Sequence, residues 1–269
     1  MKKFTIFFLI LLCGLVGYSQ TAEDYNNRGK AKYLLEDYRG AIQDYNKAIE
    51  LNPNYAEAYN DRGASKSNLG DHRGGLQDYN KAIELNPNLT EVYYNRGVVK
   101  KELGDHRGAL QDYNKAIELK PNDDEIYYDR GFVKALLEDY RGAIQDFTKA
   151  IELNPKDSKA YYNRGVAKSN LGDHRGGLQD YNKAIELNPN LTEAYYNRGI
   201  AKYLLEDYRG AIQDYNKAIE LKPNYSTAYY NRGIVKYLLG DKNGGCLDLS
   251  KAGELGNYSA YDTIREFCN

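Results

Sequence analysis

The residues best able to do chemistry in this sequence are three histidines: His72, His106 and His174. A metal site needs several nitrogen, sulfur or oxygen ligands that converge on one ion, and no such set surrounds any of the three. The sequence also lacks a Gly-x-Ser-x-Gly nucleophile elbow and a phosphate-binding glycine loop. We therefore expect no catalytic residue, no metal and no cofactor, and a role that is not enzymatic.

The histidines occupy equivalent positions in a longer repeat, and this repeat determines the secondary structure on which they lie. Asp-Tyr-Asn-Lys-Ala-Ile-Glu-Leu begins at Asp44 and recurs with small changes every 34 residues. Each copy holds two helical patterns, and a proline such as Pro53 ends the second. Asp37 is a candidate N-cap of that second helix. A helix–turn–helix of this length cannot bury both of its faces alone, so the copies must stack. The predicted units are 22–55, 56–89, 90–123, 124–157, 158–191, 192–225 and 226–257.

An arginine at unit position 7 and an aspartate at position 23 occur in all seven copies. Because the two helices of a unit pack antiparallel, we predict a partly buried pair inside each unit, whose geometry can be bidentate. The alternative is two independently solvated residues. The pairs named as structural are Arg28 with Asp44, Arg130 with Asp146, and Arg198 with Asp214.

The pattern resembles the tetratricopeptide repeat family. Position 4 is tyrosine, position 8 glycine and position 27 alanine in every unit, as in Tyr25, Gly29 and Ala48, and proline closes six of the seven. The resemblance implies an all-α fold: a right-handed superhelical α-solenoid of seven helix–turn–helix units, with a C-terminal capping helix at 258–269.

In that family, the first helices of the units line a concave surface that holds partners. The resemblance places asparagines at position 6 and tyrosines at position 5 on this surface. A primary amide both donates and accepts hydrogen bonds, so a row of them can pair with the backbone of an extended peptide. The alternative is that these side chains only solvate the surface and pack neighbouring helices. The predicted peptide-binding residues are Asn27, Asn95, Asn163, Asn197, Asn231, Tyr94, Tyr128, Tyr162, Tyr196 and Tyr230.

The family also has a clamp for acidic C-terminal tails, which needs lysine or arginine at positions 2, 5 and 6. Position 2 is mostly glutamate here, as in Glu57 and Glu91, so a neutral, basic or glycan-like ligand fits better. The balance of 37 Lys+Arg against 38 Asp+Glu argues against a nucleic-acid partner.

The two ends of the chain depart from the repeat. Residues 1–20 combine two lysines, an apolar run and small polar residues, which is typical of a secretory signal peptide, so we expect an exported protein, periplasmic or secreted, without a stable membrane span. Cys246 and Cys268 are an even pair in an exported chain, which favours a disulfide; the alternative is two free buried thiols. The ends also resemble exported tetratricopeptide proteins of the Bacteroidetes type.

The sequence thus supports two functions. The first is a scaffold or adaptor in the cell envelope that grips an extended protein or peptide segment in the Asn/Tyr-lined groove. The second is a structural module that stacks head to tail through an uncapped first repeat. Monomer or weak self-association is expected.

Overall fold

The computed structural model describes residues 20–268, which fold into fifteen α-helices without a β-strand. The predicted signal sequence, apart from Gln20, lies outside the described residues. Within this range, no helix is both long enough and apolar enough to cross a membrane. The helices are α1 (Ala22–Leu34), α2 (Tyr38–Leu51), α3 (Ala56–Asn68), α4 (His72–Leu85), α5 (Thr90–Glu102), α6 (His106–Leu119), α7 (Asp124–Leu136), α8 (Tyr140–Leu153), α9 (Ser158–Asn170), α10 (His174–Leu187), α11 (Thr192–Leu204), α12 (Tyr208–Leu221), α13 (Ser226–Leu238), α14 (Lys242–Glu254) and α15 (Ser259–Phe267).

The chain divides into two compact units, which meet within α7. The first ends at Val133 and contains α1–α6 with most of α7; the second begins at Lys134 and contains the end of α7 with α8–α15. Inside each unit, the two helices of a repeat pack on each other and on the helices of the next repeat. The predicted all-α fold of stacked helix–turn–helix repeats is confirmed.

An aspartate starts the second helix of each repeat. Asp37 caps α2 by accepting a hydrogen bond from the Gly40 backbone N–H over 2.9 Å, which confirms it as the N-cap. Such a cap satisfies one of the donors that the first turn leaves unpaired. The equivalent residues Asp71, Asp105, Asp139, Asp173, Asp207 and Asp241 cap α4, α6, α8, α10, α12 and α14 in the same way.

The core of most repeats contains an aromatic ring of the second helix that lies against a glycine of the first. In the first repeat, Tyr45 is buried between Ala41 and Ala48, and its ring faces Gly29. A Cβ at Gly29 would lie 2.5 Å from that ring, so the approach of the two helices requires glycine. Buried rings at the same place recur as Tyr79, Tyr113, Phe147, Tyr181 and Tyr215, with Leu249 in the last repeat.

The second unit ends with α15, which packs on α14. Ala260 is buried, and the Phe267 ring stacks on Tyr237 of α13 with centroids 4.6 Å apart. A disulfide joins Cys246 of α14 to Cys268, with 5.9 Å between their Cα atoms. The last helix is therefore held to the last repeat by both apolar contacts and a covalent bond.

Candidate functional site

The structure brings together arginine and aspartate at the predicted spacing in both units. Arg62 Nε donates to Asp78 Oδ2 over 2.9 Å, and Nη2 donates to Oδ1 over 2.6 Å, so the pair is bidentate. The same two bonds join Arg28 to Asp44, Arg96 to Asp112, Arg164 to Asp180, Arg198 to Asp214, and Arg232 to Asp248.

Arg130 and Asp146 belong to different units, and their pairing stays a prediction. In the first unit, Arg130 Nη1 donates to Asn114 Oδ1 over 2.8 Å. In the second unit, Asp146 is buried, with Lys134 Nζ 2.7 Å from its Oδ2.

A lysine completes each of these ion pairs, and the sequence reasoning missed it. Lys66 Nζ lies 2.8 Å from Asp78 Oδ2, so one buried carboxylate faces two cations. The signal was present, because a lysine follows the arginine by four residues, one helical turn, in every copy. These residues are Lys32, Lys66, Lys100, Lys134, Lys168, Lys202 and Lys236, and each pairs with the aspartate of its own repeat.

The arginine also reaches the preceding repeat and covers a tyrosine ring. Arg62 Nη1 donates to Asn46 Oδ1 of the repeat before it over 2.7 Å, and its guanidinium lies 5.2 Å from the centroid of the Tyr59 ring. A planar fork with five donors can meet all of these partners at once, whereas a lysine cannot.

The charges on this cluster suit a structural role. Burial alone would raise the pKa of Asp44, but hydrogen bonds and charges from Arg28 and Lys32 outweigh it and lower that pKa. The carboxylate therefore stays ionised, with its oxygens occupied by cations of its own repeat, and offers no free base.

The asparagine and tyrosine rows contact each other between neighbouring repeats. In the second unit, Asn197 Nδ2 donates to the Tyr162 hydroxyl over 2.8 Å, and Asn231 Nδ2 donates to the Tyr196 hydroxyl over 3.0 Å. Each amide keeps a second N–H and its Oδ1, for which the described residues show no further partner. Part of the interpretation as packing residues thus holds, while hydrogen-bonding capacity remains on the same surface.

The row continues to the last helix. The Tyr230 hydroxyl lies 3.1 Å from Thr263 Oγ1 of α15. Beside this contact is a pocket of about 340 Å³, which Tyr230 lines together with Asn231, Ile200 and Tyr203. A predicted tyrosine and a predicted asparagine therefore border one cavity.

The first unit departs from this pattern. Asn95 Nδ2 donates to Asn60 Oδ1 over 3.1 Å, because asparagine replaces tyrosine at position 5 there. The Tyr94 hydroxyl donates to Asp129 Oδ2 over 2.8 Å, and Lys101 Nζ donates to Asp129 Oδ1 over 2.7 Å. Burial and the Asp129 charge raise the pKa of Tyr94, so its hydroxyl remains a donor.

Three further predicted residues differ in how far they are exposed. Asn27 is exposed on α1. Tyr128 of the first unit and Asn163 of the second are half-buried on the first helices of their repeats. Their place in a ligand site stays a prediction.

The histidines lie at the starts of α4, α6 and α10, where they are half-buried. His72 Nδ1 is 4.0 Å from Glu102 Oε2. Residues 20–268 contain no group of three or more His, Cys, Asp or Glu side chains placed to hold a metal ion.

Family models agree with this geometry. The tetratricopeptide repeat model matches residues 90–123, 125–157, 158–191 and 192–225, and a second model, described as TPR repeat, matches residues 29–70 and 68–104. The chain belongs to the tetratricopeptide repeat family. The family supports a protein-interaction scaffold, and its repeats are generally non-catalytic. No curated protein matches the chain.

Several solved structures resemble this tetratricopeptide repeat protein. YrrB, described as a TPR protein with an unusual peptide-binding site, is 27% identical with a TM-score of 0.63, over 68% of this chain and 95% of YrrB. MamA is 26% identical with a TM-score of 0.59, over 61% of this chain and 96% of its own. A tetratricopeptide repeat protein from Parabacteroides merdae is 23% identical with a TM-score of 0.65, over 93% of this chain and 100% of its own, and shows the fold alone.

Proposed function

We propose that this tetratricopeptide repeat protein is a scaffold that grips an extended peptide segment on the surface formed by the first helices of its repeats. The observation that carries the proposal is the row of Tyr–Asn contacts between repeats, because each amide in it retains a donor and an acceptor. Tyrosine supplies stiff, amphipathic contact area beside those amides. The likeness to YrrB supports a peptide as the ligand.

We also propose that the scaffold acts after export, in the periplasm or outside the cell. The signal-like residues 1–20 support this location, and so does the Cys246–Cys268 disulfide, because disulfides persist in oxidising compartments.

The peptide-binding proposal is tested by separating the amides from the bonds that they make inside the protein. The double variant Asn197→Ala and Asn231→Ala removes both the amides and two hydrogen bonds between repeats, each worth about 1 kcal/mol. The matched control, Tyr162→Phe with Tyr196→Phe, removes the same two bonds but keeps the amides. Each protein is panned against a displayed library of randomised octapeptides.

Sequences that the parent enriches are expected to be retained by the phenylalanine control and lost by the alanine variant. Equal loss in both variants would contradict peptide binding by the amides, and a parent that enriches no sequence would reject peptide binding altogether.

A further inference from the structure

Two adjoining pockets of the first unit form a trough with a carboxylate at each end. One pocket, of about 320 Å³, is lined by Asp61 and Lys30, and the other, of about 550 Å³, by Glu102. Both are lined by Tyr33 and Asn95, so the two cavities adjoin. We call these two adjoining cavities together the acidic trough.

The Asp61 carboxylate is held in place but incompletely satisfied. Asn60 Nδ2 donates to Asp61 Oδ1 over 3.1 Å, and Asn60 is fixed in turn by Asn95. Asp61 Oδ2 is buried and accepts no hydrogen bond from the described residues. Lys30 Nζ approaches it only to 3.5 Å, at the end of a half-exposed side chain. A buried acceptor without a donor is costly, so this oxygen favours a ligand that brings one.

A second unsatisfied acceptor lies near this carboxylate. Asn26 is 1% exposed, and its Oδ1 also accepts no hydrogen bond from the described residues. The pKa of Asp61 is raised by burial, against the opposing effects of Lys30, Asn60 and Asn26, which agrees with a carboxylate that lacks full compensation.

Asp129 occupies the same repeat position as Asp61, in the same unit, and its carboxylate is fully paired. Both of its oxygens accept bonds shorter than 3 Å, one from Tyr94 and one from Lys101. Asp61 has neither partner, because Asn26 and Tyr33 stand at the places equivalent to Tyr94 and Lys101. The difference marks Asp61, and not Asp129, as available to a ligand.

Glu102 gives the trough its second negative end. Its side chain is 51% exposed, and His72 Nδ1 lies 4.0 Å from its Oε2. The rings of Tyr33 and Tyr94 line the cavity between the two carboxylates, and the face of a tyrosine ring attracts cations.

We infer that the acidic trough binds a basic segment of the peptide ligand, with a lysine or arginine side chain donating to Asp61 Oδ2 in place of Lys30 and a second basic side chain near Glu102. This inference rests on the proposed peptide-binding function and names its ligand class. With Lys30 displaced from Asp61, both ends of the acidic trough are negative, which favours a basic over an acidic peptide.

The second unit offers a built-in contrast. A pocket of about 220 Å³ lies at the corresponding place, lined by His174, Tyr181, Asn197 and Leu204. Leu204 occupies the repeat position of Glu102, and Asn163 occupies that of Asp61. The second unit therefore lacks both carboxylates at the corresponding places.

The test measures binding of three fluorescein-labelled octapeptides, with alanine alternating with lysine, glutamine or glutamate, by fluorescence polarisation in 0.15 M NaCl. The variant Asp61→Asn with Glu102→Leu gives the first unit the residues of the second. The control Glu50→Gln with Glu118→Gln makes the same change in charge at exposed residues outside the trough. Lys30→Gln removes the competing cation.

We expect the lysine peptide to bind the parent about tenfold more tightly than the other two, as one charge-assisted hydrogen bond allows. The trough variant should lose that preference, the control should keep it, and Lys30→Gln should strengthen lysine-peptide binding severalfold. Equal binding of all three peptides by the parent, or a preference that survives in the trough variant, overturns the inference while the proposed function stands. Failure of every peptide to bind also overturns the inference, and the library panning then decides separately whether the proposed function stands.

Discussion

Residues 66–91 and 168–193 have the same sequence, and one copy lies in each unit. Comparing the two copies separates the contacts that depend on a repeat's own sequence from those that depend on its neighbours. Inside each copy the helix caps agree: Asp71 accepts from the Gly74 backbone N–H over 2.9 Å, and Asp173 from that of Gly176 over 2.8 Å. The hydrogen bonds that the two copies make at the surface differ.

The difference comes from the flanking repeats. Asn68 Nδ2 donates to Ala64 O of its own helix and also to the Tyr33 hydroxyl of the preceding repeat. The equivalent Asn170 donates only to its own helix, at Val166 O, among the described residues. Alanine, Ala135, stands at the position equivalent to Tyr33. Identical sequence therefore lines cavities of about 550 and 220 Å³. The bonds that stabilise a repeat lie mostly inside it, whereas the shape of the surface cavities depends on the neighbouring repeats.

The largest expected effect tests the part that the copies share. Asp78→Ala and Asp180→Ala each leave an arginine and a lysine beside an empty buried site, Arg62 and Lys66 in one copy, Arg164 and Lys168 in the other. Breaking a buried pair on one side costs about 3 kcal/mol or more. Urea denaturation should give equal losses at the two sites.

A loss below about 1 kcal/mol at either site would mean that the pair contributes little. Unequal losses would show that neighbouring repeats influence even the interior bonds.

A smaller effect is expected from the turn between the two helices of a repeat. Both copies place a glycine there in the left-handed region, Gly70 at φ +85° and Gly172 at φ +83°, whereas Glu206 of the next repeat has φ +65°. A residue with a Cβ is strained in that region by about 1 kcal/mol. Glu206→Gly should raise the free energy of unfolding by up to that amount, less the backbone entropy that glycine adds to the unfolded chain.

The reverse change, Gly172→Glu, should lower stability by a similar amount. Thermal melts of the two variants that shift in the same direction would contradict this account of the turn.

The smallest effect concerns the one side chain that most distinguishes the two cavities. The pKa of Asp61 is raised in the folded state, so folding binds its proton more tightly, and the free energy of unfolding contributed by this group falls as pH rises through the raised pKa. Asp61→Asn, the residue of the second unit, should therefore be more stable than the parent at pH 7. The gain should vanish below the unfolded pKa of about 3.9.

Urea titrations of parent and variant from pH 3 to pH 7 measure this difference. A difference that is constant across that range would show that ionisation of Asp61 is not its cause.

The sequence predicted the repeat-internal structure well, because each copy carries its own signals. Pro53 and Asp37 mark helix ends, Gly29 marks the close approach of two helices, and Arg62 with Asp78 keep one spacing in every copy. The role of Lys66 was not predicted because Arg62 already supplied a partner for the Asp78 carboxylate.

The candidate site was harder to predict, since it depends on how far one repeat is displaced from the next. That displacement determines whether the Asn197 amide faces a ligand or the Tyr162 hydroxyl. It depends on how the side chains of two neighbouring repeats pack against each other. Likewise, the Asp129 carboxylate is fully paired and the Asp61 carboxylate is not, because the residues at positions 5 and 12 of the adjacent repeats differ. The spacing of residues inside one copy does not reveal this difference.

The arginine of a repeat is separated by 16 residues from each of its two polar partners, Asp78 after Arg62 and Asn46 before it. Every such bond crosses at most one boundary, and every boundary offers the next arginine an equivalent partner; removing residues 158–191, for example, would bring Arg198 to the place now held by Arg164, opposite Thr148. Adding or removing one whole repeat therefore leaves every remaining arginine with the two kinds of polar partner that it has now.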